Sequence, residues 1–262
     1  MPNSFISSSR ARPGRHGVSV HQSPSSGHAG AKSEGFFASW RVFQTTKIYD
    51  VLCAGPLILW YGSSAGSLMP ALFAKLETTD VKKIDIAFVL SVLAQTAGIA
   101  LIVLALIFLL LRRPAKGKAK GVMPRLAAIA GTYLGVAVVW LPPHPMGLML
   151  SFLSLTLILC GVAFAIFSLL HLGRSFSLMA EARRLVTDGP YSRIRHPLYL
   201  GEAISMLGLT LQYLSPLALG ILVLQFAFQL LRMKNEENVL SMLFPEYEGY
   251  RARTARLLPG LY

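Results

Sequence analysis

Two short stretches in the C-terminal half of this largely apolar chain carry residue types that could do chemistry. One stretch runs from Arg195 to Glu202 and the other from Arg232 to Glu237. Glu202 lies inside an apolar run, where an acidic side chain is costly and therefore indicates a functional site. The structural alternative is an ion pair that joins Glu202 to an arginine of a neighbouring segment.

The residue types in and near the second stretch suit the binding of one anion and one cation. Arg232 carries a planar guanidinium that can hold a carboxylate through two parallel hydrogen bonds. Glu236 lies one helical turn further along and attracts a cation, as do the aromatic faces of Tyr191 and Tyr199. The structural alternative is a surface ion pair between Arg232 and Glu236 at a membrane boundary.

Two acidic residues are the candidates for a general base. A reacting amine has to lose its proton, and Glu202 or Glu237 would accept it. A reacting carboxylate is already ionised at neutral pH and has only to be aligned. The side chains by themselves therefore fit either kind of reacting group.

Long uncharged runs must hold these stretches in place. Only 14% of the 262 residues are charged and 53% are hydrophobic, against about 25% charged in soluble domains, which excludes an ordinary soluble enzyme. The run from Ile86 to Leu111 forms a helix of about 39 Å, longer than the hydrocarbon core of about 30 Å. Five more apolar runs are 51–74, 126–141, 148–172, 198–214 and 217–231. We predict an all-α integral membrane helical bundle of about six membrane segments, the last two forming a short helical hairpin.

The distribution of basic residues predicts the orientation of this bundle. The chain has 25 Lys and Arg against 12 Asp and Glu, and 22 of the basic residues fall in segments 1–47, 112–125, 173–195 and 232–262. Short loops rich in Lys and Arg stay in the cytoplasm, so both termini are expected there. Basic residues divided among membrane loops form no single basic stripe, so no nucleic-acid partner is expected.

Six short motifs follow one another in the last ninety or so residues. In order they read LGRSF, LVTDGPY, RHPLYLGE, RMKNEENVL, FPEYEGY and LLPGLY. Their order and spacing resemble the isoprenylcysteine carboxyl methyltransferase family and its bacterial relatives, within a wider phospholipid methyltransferase-like superfamily. The resemblance implies an enzyme that uses S-adenosyl-L-methionine at the cytoplasmic membrane face. No Gly-rich dinucleotide motif follows a strand signal, so helix ends and loops would have to hold the cofactor.

The resemblance also implies roles for individual residues. Arg232 corresponds to the arginine that orients the substrate. Arg183 stands where eukaryotic members have a histidine. The cofactor contacts carried over are Glu181, Leu185, Val186, Tyr191, His196, Pro197, Leu198, Tyr199 and Glu236. We expect no metal site, since Cys53 and Cys160 lie in apolar runs without metal-ligand spacing.

Three regions follow from these observations. Residues 1–40 are predicted to be a disordered basic cytoplasmic extension, with a transit peptide as the alternative because the segment is rich in Arg and Ser. Residues 41–147 supply the N-terminal membrane helices. Residues 148–262 form the catalytic methyltransferase-like region, with a cofactor pocket that faces the cytoplasm of, we expect, a bacterial inner membrane.

The acceptor is expected to be a membrane lipid or a lipidated small molecule. Because Arg232 lies one turn from Glu236, the acceptor's anion would lie beside the donor's cation, which favours carboxyl O-methylation of an isoprenylcysteine-like or other membrane carboxylate. The RHPxY and paired-glutamate pattern also occurs in phospholipid N-methyltransferases, and an HPxY tail occurs in NADPH-dependent sterol reductases. Both activities are alternatives. A transporter is disfavoured because the ionisable residues cluster at one membrane face.

Overall fold

Seven helices and one small antiparallel ladder make up the described part of the chain. The computed structural model describes the backbone of residues 47–80, 84–119 and 121–260, and the side chains from residue 55 onward within these ranges. The helices are α1 Lys47–Thr78, α2 Ile86–Leu111, α3 Met123–Tyr133, α4 Leu148–Leu172, α5 Pro197–Gln212, α6 Pro216–Leu243 and α7 Tyr247–Arg253. Strands β1 Gly117–Lys118 and β2 Glu181–Ala182 form the ladder. The predicted extension, residues 1–40, lies outside the described residues.

Five helical segments of the described residues are long and apolar enough to cross a membrane. They are Gly55–Thr78, Ile86–Leu111, Met123–Trp140, Leu148–Ser175 and Pro216–Leu243, and the third consists of α3 continued by a 3₁₀ helix, Leu134–Trp140. Large apolar side chains cover their outer surfaces; Leu59, Met149 and Val223 are 74%, 88% and 70% exposed. Such a surface is suited to lipid, and the predicted all-α membrane bundle is confirmed.

The last two predicted segments differ from the expected pair of short helices. Helix α5 has 16 residues, about 24 Å, and so is shorter than the other membrane segments. Helix α6 has 28 residues, about 42 Å, and continues through the charged stretch 232–237 to Leu243, just before Pro245 as expected. The charged residues stay helical because neighbouring elements pair their side chains, as described below.

Helices α5 and α6 also pack against different partners instead of mainly against each other. The most extensive contact of α5 is with α4, and small residues let the two backbones approach. A Cβ added at Gly201 would lie 2.7 Å from the backbone N of Ala165, and one added at Gly161 would lie 2.4 Å from the backbone N of Ser205. Close contact through small residues is a general mode of helix association in membranes.

Helix α6 packs chiefly on α3, where two glycines make room for polar side chains. A Cβ at Gly131 would lie 2.9 Å from Arg232 Cδ, and one at Gly135 would lie 2.5 Å from Gln225 Oε1. Polar groups of α6 are therefore accommodated inside the bundle.

The loop between α4 and α5 is fixed at both of its ends. Near its start, Arg113 N–H donates to Arg174 O at 2.9 Å and Lys116 N–H donates to Ala182 O at 2.8 Å, so the loop after α2 supports it. In its second half Gly189 has φ of +57°, and a Cβ there would lie 2.1 Å from the His171 ring. Only glycine allows this approach together with this backbone conformation.

The C-terminal segment folds back over the start of α5, as expected. Arg195 N–H donates to Ala255 O at 2.8 Å, His196 N–H donates to Arg256 O at 3.1 Å, and Ala255 N–H donates to Arg193 O at 3.0 Å. The residues after α7 thereby run alongside the segment that enters α5.

We predict that Gly201→Ala destabilises the protein, because the new methyl group meets α4 backbone that cannot move aside. Overpacking of this kind costs about 1–3 kcal/mol, so the melting temperature in detergent should fall. The matched control is Gly98→Ala in α2, where a Cβ would have no heavy atom within 4 Å and alanine should be neutral or stabilising. Equal melting temperatures for the two variants would contradict the close α4–α5 contact.

Candidate active site

A cleft lies at one end of the bundle, between the loop 173–196, the start of α5, the C-terminal part of α6 and α7. Its cavity volume is about 100 Å³, and about 880 Å³ of space lies between its walls when the open mouth is included. Ten residues that the sequence singled out line it: Glu181, Leu185, Val186, Tyr191, His196, Leu198, Tyr199, Glu202, Arg232 and Glu236. Pro197 and Glu237, also singled out, are not among the lining residues.

Arg232 is a buried charged group in the wall of this cleft, with 3% exposure. Its Nη1 donates to Thr132 Oγ1 at 3.3 Å and to Gln229 Oε1 at 3.1 Å, and its Nη2 donates to Leu178 O at 3.0 Å. Its buried Nε–H has no hydrogen-bond partner among the described residues. The guanidinium therefore connects α3, α6 and the loop, and its Nε–H remains an unpaired donor.

Glu202 is linked to Arg232 through an amide instead of contacting it directly. Gln229 Nε2 donates to Glu202 Oε2 at 2.7 Å, while Gln229 Oε1 accepts from Arg232. Sequence reasoning did not identify Gln229. The available signal was a glutamine three residues before Arg232 in an apolar helix, which places both side chains on one face.

Tyr199 packs between two of the polar groups. Its ring centroid lies 4.7 Å from Arg232 Cζ and 5.6 Å from the centroid of the stacked His196 ring, and its hydroxyl donates to Glu236 Oε1. The sequence predicts that the aromatic face of Tyr199 binds a cation. In the structure the ring contacts the guanidinium of Arg232, a cation of the protein itself.

Glu236 retains one carboxylate oxygen that faces the cleft. Oε1 accepts the Tyr199 hydroxyl, and Oε2 lies 3.9 Å from His196 Nδ1, beyond hydrogen-bonding distance. The side chain is 21% exposed. Among the described residues no hydrogen bond to Oε2 is found, so this oxygen is open to a ligand.

Glu237 points to the opposite side and is surrounded by cationic groups. Its carboxylate accepts from Arg195 Nε at 2.9 Å and from Arg256 Nη2 at 2.6 Å, and Oε1 lies 3.1 Å from His196 Nε2. Arg195 precedes α5, which begins at Pro197, and its side chain turns toward Glu237.

Glu181 lies at the edge of the cleft in β2 and is held by three side chains. Lys118 Nζ lies 3.2 Å from Oε1, while Arg183 Nη2 and Ser177 Oγ donate to Oε2 at 2.6 Å and 2.9 Å. Arg183, which the resemblance aligns with a histidine of eukaryotic members, is thus an ion-pair partner of Glu181.

Three tyrosines close the mouth of the cleft, and two of them come from the C-terminal segment. Tyr250 donates its hydroxyl to Tyr191 O at 2.7 Å, and the buried Tyr247 hydroxyl has no hydrogen-bond partner among the described residues. Burial, assisted by the carboxylate of Glu236, raises the pKa of Tyr191 above its ordinary value, and burial raises the pKa of Tyr250 to about 12. Both phenols are therefore neutral at physiological pH.

The fold and the cleft together define a multi-pass membrane protein with a polar ligand site at one end of its helices. Residues 146–247 match the phospholipid methyltransferase family. This match covers α4, the loop, α5 and α6, which supply nearly all of the cleft.

Three curated relatives are each similar to a part of the chain. The nickel-cobalt-cadmium resistance protein NccN of Alcaligenes xylosoxydans xylosoxydans is 38% identical over 31% of this chain and 38% of its own length. The cobalt-zinc-cadmium resistance protein CzcN of Cupriavidus metallidurans is 37% identical over 44% and 53%. Protein-S-isoprenylcysteine O-methyltransferase B of Arabidopsis thaliana is 31% identical over 42% and 59%.

These matches confirm the resemblance that the motifs indicated. Residues 146–247 are similar to phospholipid methyltransferases, and a part of the chain is similar to protein-S-isoprenylcysteine O-methyltransferases. The aligned segments span between 38% and 59% of the length of the curated relatives.

Proposed function

We propose that this protein is an S-adenosylmethionine-dependent membrane methyltransferase that methylates a carboxylate on a lipid-like acceptor. One observation carries the proposal: a buried guanidinium with an unpartnered Nε–H and a carboxylate with an open oxygen, Arg232 and Glu236, line the same cleft. The relationship of residues 146–247 to phospholipid methyltransferases supports the reaction class.

The side chains of the cleft fit a cationic cofactor. S-adenosylmethionine, when bound, supplies a methyl group carried on a positively charged sulfonium. Around Arg232 the lining contributes one positive charge, and Glu202 and Glu236 contribute two negative charges when ionised, so this part of the cleft favours a cationic group. Arg183, Arg184, Arg195 and Glu181 also line the cleft, so the attraction for a cation is local to Glu202 and Glu236. The open Glu236 Oε2 would face the sulfonium, and His196 and Tyr191 would form the adjacent walls.

The unpartnered Nε–H of Arg232 fits a carboxylate acceptor. A carboxylate placed against the Nε–H would gain a charge-assisted hydrogen bond and satisfy a buried donor that is otherwise unpaired. Such an acceptor needs no base, so the residues have only to orient it toward the methyl group. The apolar side chains of Phe176, Leu178 and Leu198, which also line the cleft, suit an attached lipid chain.

Phospholipid N-methylation is the second candidate, favoured by the description of the matching family. An amine acceptor must be deprotonated, and Glu202 is the carboxylate that lines the cleft beside Arg232. Glu237 is less suited to this task because its oxygens already accept from two arginines. For either reaction we propose that the cleft faces the cytoplasm of a bacterial inner membrane, and the basic loops support this orientation.

The first prediction concerns the sulfonium. Glu236→Gln removes the open anionic oxygen, so affinity for S-adenosylmethionine should fall about ten- to a hundredfold, the effect of a lost charge-assisted contact. Affinity for S-adenosylhomocysteine, which lacks the sulfonium charge, should change by less than about threefold. Calorimetry in detergent measures both, with exposed Glu248→Gln as the matched control and NADPH as the competing ligand.

An equal loss for both ligands would contradict a charge-specific role for Glu236. Binding of NADPH by the wild-type protein, without binding of either adenosyl ligand, would contradict the proposed function as a whole.

The second prediction distinguishes a carboxylate acceptor from an amine acceptor by replacing the planar guanidinium of Arg232 with an ammonium group. Arg232→Lys keeps the charge but loses the planar fork, so methyl transfer to a carboxylate acceptor should fall about ten- to a hundredfold while cofactor affinity changes little. Isoprenylated cysteine, a fatty acid and phosphatidylethanolamine are tested as acceptors with the wild type, Arg232→Lys and Glu202→Gln. Methylation of phosphatidylethanolamine alone, abolished by Glu202→Gln and insensitive to Arg232→Lys, would favour N-methylation instead.

The third prediction tests whether the position of Arg232 matters, by a substitution at the neighbouring Gly131 that leaves Arg232 itself in the sequence. In Gly131→Ala the new methyl group meets Arg232 Cδ at 2.9 Å, so the guanidinium must shift and methyl transfer should fall, since a displacement of about 1 Å can cost up to a hundredfold. Gly98→Ala is the control, because a Cβ there is unobstructed. Wild-type turnover by Gly131→Ala would contradict a requirement for the observed Arg232 position.

A further inference from the structure

We infer that Glu237 is a positioning residue that clamps the C-terminal segment, residues 250–256, onto the start of α5 and so keeps the cleft walled on that side. This inference rests on the proposed function for its effect on ligand binding. The clamp itself is a property of the chain that can be measured without any ligand.

The clamp consists of one buried carboxylate, two arginine side chains and one histidine side chain, and the last three come from two other segments. Glu237 is 6% exposed. Arg195 Nε and Arg256 Nε donate to its Oε1 at 2.9 Å and 3.1 Å, and Arg256 Nη2 donates to Oε2 at 2.6 Å. His196 Nε2 completes the set at 3.1 Å from Oε1. A buried carboxylate with several donors is held in one place.

Arg195 extends the clamp from α6 to the backbone of the C-terminal segment. Besides its bond to Glu237, its Nη1 donates to Arg251 O at 3.0 Å and to Thr254 O at 2.5 Å. These two carbonyls lie where α7 ends, so the guanidinium supplies donors that the helix end lacks. Glu237 in turn orients Arg195 for these contacts.

The clamped segment supplies part of the cleft wall. Tyr247 and Tyr250 line the cleft, and Tyr250 is tied to Tyr191 on the opposite wall. Glu237 also fixes the His196 ring, whose Nδ1 is turned toward Glu236. Loss of Glu237 is therefore expected to free the C-terminal segment, which forms one wall, and to reorient His196 in a second wall. Arg232 and Glu236, the proposed ligand contacts, remain.

This arrangement assigns Glu237 a role different from that of a general base. Both of its oxygens are occupied by arginine donors, and the side chain is absent from the cleft lining. A base would have to lie within hydrogen-bonding reach of the acceptor. Of the two adjacent glutamates, Glu236 faces the ligand and Glu237 holds the wall.

Amide hydrogen exchange tests the clamp directly on the full-length protein in detergent. In Arg256→Gln and Glu237→Gln, the backbone amides of Arg195, His196 and Ala255, which bridge the two segments, should exchange at least about tenfold faster than in the wild type. Arg256→Lys should restore much of the protection, and Arg253→Gln, which is exposed, is the matched control. Unchanged exchange in Arg256→Gln would overturn the clamp. Arg256→Gln keeps the test decisive if Glu237→Gln fails to fold.

Kinetics then test what the clamp does for the cleft. Both variants should raise KM for S-adenosylmethionine about tenfold with kcat within about threefold of the wild type, and the double variant should be no worse than Glu237→Gln alone, because the residues act as one unit. A loss of kcat in Glu237→Gln with an altered pH profile, and normal kinetics in Arg256→Gln, would make Glu237 a base and overturn the inference. Failure of the wild type to bind any adenosyl ligand would refute the proposed function, while the exchange result would still decide the clamp.

Discussion

The arrangement of this molecule depends on a guanidinium charge buried near one end of a membrane helix. A charge in that position is tolerated only when its donors are matched by acceptors, and Arg232 obtains them from a side chain of α3, a side chain of its own helix and a carbonyl of the loop before α5. Three separate elements are thereby drawn to one point. Gly131 provides the space that this requires, and the two glutamates that balance the charge lie within the same cleft.

A second consequence of this arrangement is that a polar ligand site is built without a sheet of appreciable size. The cleft is lined by a loop, two helices and a C-terminal segment, and its only ladder among the described residues is two residues long on each strand. Rigidity comes instead from close helix contacts through Gly161 and Gly201 and from side-chain bonds across segments. The polar side chains that line the cleft consequently lie on helices and on the loop before α5.

Much of this could be predicted from the sequence because the relevant signals are local. Uncharged runs indicate membrane helices, and ten of the residues that the motifs singled out line one cleft. The orientation of adjacent side chains could not be predicted in the same way. Glu236 and Glu237 are neighbours in sequence but face different partners, and Arg195 pairs with a carboxylate that lies 42 residues away. Such long-range pairings leave no trace in spacing or periodicity.

The shortness of α5 affects how a lipid-like acceptor would approach the cleft. Helix α5 ends at the turn from which α6 starts, and its first residue follows His196, which contacts Glu237. Its 16 residues give α5 a length of about 24 Å, which is less than the roughly 30 Å of a hydrocarbon core. A helix of this length that starts from a turn at one surface of the core would not reach the other surface. If the protein acts on a lipid-like acceptor as proposed, that acceptor could then approach the start of α5 from within the bilayer, and its hydrocarbon would not have to enter water.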